Sequence, residues 1–289
     1  MDYIKKTYTD KAIEVQISSF AGKGGVTEYH VLLTITDRTL PFSGQLQNIQ
    51  RAYVAVIQEV LPDDATAVFR RYFLSDAANQ ADLVMVWECE NSYCPLSIVE
   101  QAPLNGSKIA MWTWFQTGIT VETTKNGMSK AKHNRYTQYW TGGSCNRASN
   151  SEYQTRLLLN DYVLQLTEQG CKLANDCIRT WFFVQNVDVN YAGVVKARQG
   201  FHHARPDGKD PLYFQYGNRR TPCRSERFCP DGYLCRKRLA DRTNPVPLCS
   251  HPPESDIRIR SDFRAGDSCN LWRPETNLHF RNREYRQAR

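Results

Sequence analysis

The residues able to do chemistry are scattered, and none stands in a pattern that commits it to a reaction. Ser97, Ser107 and Ser144 carry potential nucleophilic oxygens, but no histidine and carboxylate occur at a spacing that would activate them, so no nucleophile is assigned. His133, Arg135 and Tyr139 can line a pocket, although isolated polar residues in a loop are ordinarily solvated surface. Residues 22–25, Gly-Lys-Gly-Gly, look like part of a phosphate-binding loop. They lack the closing Gly-Lys-Ser/Thr and the helix such a loop must open, so a hairpin turn is expected instead. Cys89, Cys94, Cys145, Cys171 and Cys177 contain no CxxC and no Cys/His ligand set, and are expected to be small, buried, reduced thiols. No catalytic, cofactor-binding or metal-binding residue is assigned, and no cofactor is expected.

The elements that must position these residues belong to a chain of 289 residues whose composition changes near residue 200. Met1 to Gly200 carries 19 basic and 19 acidic side chains, so the formal net charge of +7 lies wholly in the last 89 residues. There, 16 of 18 basic residues are Arg, nine of the 13 prolines occur, and Val246 is the single valine. Such a segment is expected to supply neither strands nor a core. The organisation read from this is a first unit at 1–120, a second, incomplete unit at 121–200 and a basic tail at 201–289. The tail cysteines Cys223, Cys229, Cys235 and Cys249 match no standard metal-site spacing. Basic charge without interleaved aromatics makes nucleic acid an unexpected partner. The start, MDYIKKTYTD, has no apolar leader, and no apolar run approaches the roughly 20 residues that span a bilayer. A cytoplasmic protein without a membrane partner is expected.

Sliding the chain over itself by 109 residues lays YVAVIQEVLPDDATAVFRRYFLSD (Tyr53 to Asp76) on YVLQLTEQGCKLANDCIRTWFFVQ (Tyr162 to Gln185) without a gap. Each copy reads as helix, strand, helix. In the second, Leu157, Leu158, Val163, Leu164 and Leu166 recur at helical spacing, with Ser151 as N-cap and Gly170 as the stop. A strand is predicted over Ile178 to Val184, followed by a turn at Asn186 to Asn190 and a short helix. A unit of this kind cannot bury its own apolar face, so two should pack on a common sheet. Arg70 and Arg179 fall on matching positions in the alignment, where a structural role, such as pairing with a neighbouring unit, is favoured over ligand binding. Further strands are predicted at Ile13 to Ile17, His30 to Thr36 and Lys108 to Phe115, with a turn at Pro103 to Gly106. Val121 to Asn150 shows little pattern.

The segment CIRTWFFVQNVDVNYAGVVKAR (Cys177 to Arg198), with RRYFLSDAANQ (Arg70 to Gln80) and SIVEQAPLNGSKIAMWTW (Ser97 to Trp114), resembles the Rid superfamily. This family is also called YjgF-like or endoribonuclease L-PSP-like, and the resemblance is to its tandem-unit, chorismatase-like branch. It covers most of residues 30 to 200. It implies an α/β (α+β) fold of tandem chorismate-mutase-like units, each a sheet with helices on one face, with residues after about 200 largely irregular. It also implies trimer-like packing of units, including self-association, with ligand sites at the interfaces. Rid deaminases hold a substrate carboxylate with an Arg in the strand before the last turn and carry an acid on the final strand. The resemblance places Pro95 near that Arg and Ala110 near that acid, so the first unit looks degenerate.

Where the resemblance stops, the nucleotides can be read one base later. Val246 to Asp267 then accommodates FLYAPTHLNPTYEYGVTFERGT, and Ser268 to Ala288 accommodates VVIYGDQKRIFISGTASIDK, both with β-type alternation. A frameshift between Arg198 and Phe201 is therefore expected. It would leave the edge of the Ile178 to Val184 strand uncovered. The intact form is expected to hydrolyse a small carboxylate metabolite, by enamine or imine deamination or by cleavage of a chorismate-type enol ether. This chain is expected to be a truncated, inactive form. The alternatives are a non-catalytic Rid-like binding or assembly module and, behind it, an RNA-binding or endoribonuclease-like protein.

Overall fold

A computed structural model describes residues 1–202 except 23, 92–93, 135 and 147, together with 213–219 and 229–238. The chain opens with a meander of β1 (Asp2–Tyr8), β2 (Ile13–Ala21) and β3 (Thr27–Ile35). Ile13, Val15 and Ile17 alternate toward one face, as the period of a strand requires. Gly24 and Gly25, at φ 116° and 88°, turn β2 back onto β3 in the expected hairpin. There follow α1 (Phe42–Glu59), β4 (Thr66–Leu74), α2 (Ala77–Asn91), β5 (Leu96–Glu100) and β6 (Ile109–Gln116). The turn before β6 closes where Gly106, at φ 81°, donates its N–H to the Pro103 carbonyl at 3.0 Å.

The next strands are β7 (Thr120–Thr123), β8 (Ser129–His133) and β9 (Tyr136–Thr141). They lie in the stretch whose pattern is weak, and the signal available there is the Asn126-Gly127 pair that turns β7 into β8 with Gly127 at φ 83°. After them come α3 (Ser151–Glu168), α4 (Leu173–Asp176), β10 (Cys177–Gln185), α5 (Val187–His202), β11 (Tyr213–Arg219) and β12 (Cys229–Arg238). The N-cap of α3 is Asn150, whose side chain accepts the Tyr153 N–H; Ser151 is the first helical residue. Gly170, at φ 65°, ends α3, with the Cys171 N–H returning to the Leu166 carbonyl. The expected turn at 186–190 is already helix from Val187 onward.

The fold is mixed α and β, as expected. Among the described residues two six-stranded sheets run β1-β2-β3-β6-β4-β5 and β7-β8-β9-β12-β10-β11. The order of one is the order of the other, and so are the directions: β4 is parallel to β5 and antiparallel to β6, as β10 is to β11 and β12. Three expectations fail here. The two halves do not share a common sheet but form one each. The tail does supply strands, and the edge of β10 is not left open: β11 pairs with it on one side and β12 on the other. Ladder hydrogen bonds come from the backbone, so a segment poor in β-formers can still fill an edge. Pro230 sits where the β10–β12 register is irregular, a place that tolerates a missing N–H.

Each sheet packs its helices on one face. Ile13, Val31, Leu33, Tyr72, Leu74 and Met111 meet α1 and α2; Tyr139, Phe182 and Val184 meet α3 and α5. The opposite faces meet each other through Leu32, Phe69, Phe73, Trp112, Ala131, Trp140, Trp181 and Phe183. Full burial of one such side chain contributes about 1.5–3 kcal/mol. At the rim Gly142 lets the end of β9 pass under β5, since a Cβ there would stand 2.9 Å from the Leu96 carbonyl oxygen.

Candidate functional site

Ligand-bearing surface must be sought where the strands present polar groups, and the inner face of the first sheet does so. Alternation aims Gln16 and Ser18 of β2, Glu28 and His30 of β3, Trp112, Trp114 and Gln116 of β6, Arg71 of β4 and Ser97 of β5 away from the helices. The Arg71 Nε donates to the Ser97 Oγ at 2.9 Å. Its guanidinium stands 4.7 Å from the Phe183 ring centre, 5.1 Å from Phe69, 5.3 Å from Trp181 and 5.6 Å from Trp112. A cation of one sheet is thus received by aromatic faces of both, an attraction strengthened by the dryness of the interface.

His30 lies beside this group. Its ring stacks on Trp112 at 5.8 Å and meets Trp114 at 4.3 Å. Burial, and then the Arg179 cation, hold the imidazole down to about 3, so it is neutral at physiological pH. Farther along the face the Gln116 amide donates to Glu28 at 3.3 Å. Gln16 Oε1, Gln116 Oε1 and Trp114 Nε1 are buried without a hydrogen-bond partner among the described residues. This patch can accept and donate hydrogen bonds, but no nucleophile, general acid and general base converge on a common point within it.

The two arginines aligned by the sequence part company. Arg70 turns to the helices, where its Nη1 donates to Glu88 Oε1 at 2.6 Å and its Nη2 to the Tyr53 hydroxyl. The Tyr72 hydroxyl donates to the same carboxylate oxygen at 2.6 Å. Arg179 instead lies 5.6 Å from Trp181, on the face toward the first sheet. The role of Arg70 is thus structural, and its partners Glu88 and Tyr53 belong to the helices on its own sheet rather than to a neighbouring unit. The matching positions come from a gapless alignment that is one residue out along the strand, and a slip of one residue exchanges the faces of a strand. Tyr72 and Phe182 face helices, whereas Phe73 and Phe183 face the other sheet, which pairs Arg70 with Thr180 and Arg71 with Trp181.

His133 and Tyr139 do not share a pocket. His133 stands 4.8 Å from Tyr136 near the end of β8, Tyr139 is buried on the helix side, and Arg135 lies outside the described residues. Ser97 serves Arg71, and Ser107 bonds to Asn105 and Ile109 in the turn before β6. Ser144 stands just beyond β9. Pro95 precedes β5, and Ala110 on β6 is fully buried in the inter-sheet cluster. Of the body cysteines, Cys171 and Cys177 are buried as expected, but Cys145 and Cys94 are half-buried and Cys89 is exposed. The tail cysteines Cys223 and Cys249 lie outside the described residues. Among the described residues no His, Cys, Asp and Glu cluster can hold a metal ion, and no helix is long and apolar enough to cross a membrane.

No protein-family profile and no curated protein matches the chain. Among solved structures, one similar protein is a candidate translation initiation inhibitor from Salmonella typhimurium. It is 13% identical with a TM-score of 0.32, over 40% of this chain and 96% of that one. Another is a chorismatase, 12% identical with a TM-score of 0.37, over 59% of this chain. The chain spans about half of that chorismatase, 48% of its length.

Proposed function

We propose that the chain is a Rid-like protein of two tandem units, and that the polypeptide as written binds or assembles rather than turning over substrate. The observation that carries this reading is Ala110. The resemblance calls for an acid there, and the residue is a methyl group fully buried in the inter-sheet cluster, opposite Phe73 in the β4–β6 ladder. Pro95 likewise offers no cation to a substrate carboxylate. Arg71, one strand away, is 4% exposed and is already engaged by Ser97 and four rings. His30 is neutral and enclosed. Hydrolysis of an enamine, an imine or an enolpyruvyl ether needs a cationic anchor and a proton donor at one carbon, and this face supplies neither in reach of a substrate.

The partner in this reading is a small carboxylate metabolite, as the family resemblance implies, and the intact lineage hydrolyses it. The shared strand order of the two sheets supports tandem units. The composition break near residue 200 supports a change of reading frame there, while β11 and β12 give the written residues a place in the sheet. Purified full-length chain is expected to show no turnover of 2-aminoacrylate or chorismate. Detectable ammonia or pyruvate release that scales with protein would overturn the proposal. The nucleotide sequence across Arg198 to Phe201 decides the frame: bases unable to encode the shifted strings remove the frameshift.

A further inference from the structure

The first sheet ends on β1, which carries β2 along one edge and, among the described residues, no strand along the other. That edge is open over most of its length, with Asp2, Tyr3, Ile4, Lys5 and Thr7 exposed. The far edge of the sheet differs, since β5 buries every residue after Leu96. Lysines ordinarily guard an edge against further pairing. Here each already has a carboxylate, Lys5 that of Glu14 at 2.8 Å and Lys6 that of Glu59 at 2.6 Å, which blunts their repulsion of a second strand. Between Asp2 and Lys5 stand two large apolar side chains, Tyr3 at 52% exposure and Ile4 at 49%.

We propose that two copies of the chain pair β1 with β1, antiparallel about a two-fold axis at Ile4. Directly opposite residues of an antiparallel pair share a face. Turning β1 on itself about Ile4 therefore sets Ile4 against Ile4, Asp2 against Lys6 and Tyr3 against Lys5 of the second copy. Opposite charges meet twice by symmetry, and each Lys5 meets a ring. The Lys6 ammonium has three donors, enough for an incoming Asp2 carboxylate beside Glu59, which Lys11 also attracts. Other registers are poorer: an axis at Lys5 or Lys6 opposes lysine to lysine, and one at Tyr3 opposes Asp2 to Ile4. The two-fold closes the assembly, because each copy spends its open edge on the other. The pairing uses neither helices nor the face between the sheets, so it is separate from the packing of units that the Rid reading implies and stands without that reading.

The test places one cysteine in this edge of the full-length chain, whose native cysteines begin at Cys89. Opposite residues of an antiparallel pair have Cα atoms about 4.5–5.5 Å apart, within the span that a disulfide closes. Ile4→Cys is expected to cross-link two chains under mild oxidation, so that trypsin releases residues 1–5 joined to residues 1–5. Thr7→Cys, also exposed, leaves the two sites roughly 20 Å apart and should cross-link about tenfold less. A strand pair is a small interface, so sedimentation of the unmodified chain should show a species of twice 33.3 kDa that grows with concentration. Asp2→Lys opposes lysine to lysine and should weaken that species about tenfold. The proposal fails if the chain stays at 33.3 kDa at about 0.1 mM, an affinity too low for a specific pair. It fails equally if Thr7→Cys cross-links as readily as Ile4→Cys, if the Ile4→Cys peptide joins a native cysteine instead, or if Asp2→Lys leaves the association unchanged.

Discussion

On the helix side of the first sheet, β4 buries Arg70 and surrounds it with Glu88, Tyr53 and Tyr72. On the helix side of the second, β10 brings Thr180 to the corresponding place, and the Tyr162 hydroxyl, aligned with that of Tyr53, donates toward the Cys177 sulfur at 4.0 Å. The backbones around these positions are alike in order and direction, so the difference lies in what each layer must satisfy. A buried ion pair is tolerable only while complete, because either member alone keeps its desolvation cost. A buried hydroxyl risks far less. The first unit therefore depends on side-chain pairing inside its core, whereas the second depends on backbone pairing from distant residues, since β11 and β12 supply both neighbours of β10.

Removing residues 203–289 is the severest challenge to that contrast. The shortened chain is expected to lose amide protection across Phe182 to Val184 while keeping it across Tyr72 to Leu74; hydrogen exchange showing equal protection of both strands would end the comparison. Next in size, Glu88→Gln leaves Arg70 buried without its counter-charge and should cost about 3–5 kcal/mol in urea unfolding. Thr180→Val, which removes a hydroxyl with no hydrogen-bond partner among the described residues, should be neutral or stabilising. Similar losses in the two variants would contradict the distinction.

Acid should then weaken the interface between the sheets. His30 binds its proton more readily unfolded, because its folded value lies near 3 against an ordinary 6.5. Its contribution is thus present above that ordinary value and is lost as pH falls toward 3, amounting to about 2 kcal/mol between roughly pH 7 and pH 5. His30→Phe should flatten that slope, as chemical denaturation at several pH values would reveal. The smallest effects sharpen the helix comparison. A Cβ at Gly193 would lie 2.2 Å from Ser151 Oγ and 2.8 Å from the Glu152 backbone nitrogen, whereas one at Gly44 meets nothing nearer than 3.7 Å. Gly193→Ala should cost about 1–2 kcal/mol through crowding. Gly44→Ala should gain about 0.5–1 kcal/mol of helix propensity, both read as shifts in the thermal midpoint.

Much of this architecture is legible in residue types. The spacing of Leu157, Leu158 and Leu166 predicts α3, and Gly170 ends it because a left-handed conformation is needed there. The alternation of Ile13, Val15 and Ile17 predicts β2 and its buried face. The meander from β7 to β9 is harder to read, since its inner face packs on another sheet and its outer face carries Lys130, Lys132 and Glu122 in surroundings that need no apolar partner. The site is less legible still. Nothing in the local sequence tells that Arg71 enters an aromatic interface while its neighbour Arg70 enters a helix-facing ion pair.

The sequence by itself determined the helices, most strands of the body, the turns at Gly25 and Gly106 and the chemical break near residue 200, because periodicity and glycine requirements act over a few residues. Tertiary structure alone decided which face each arginine takes, which rings enclose Arg71, and that 213–219 and 229–238 lie beside β10. A strand reverses its faces with a slip of one residue, and its edges accept any backbone able to reach them. Neither choice is written in the residues that make it.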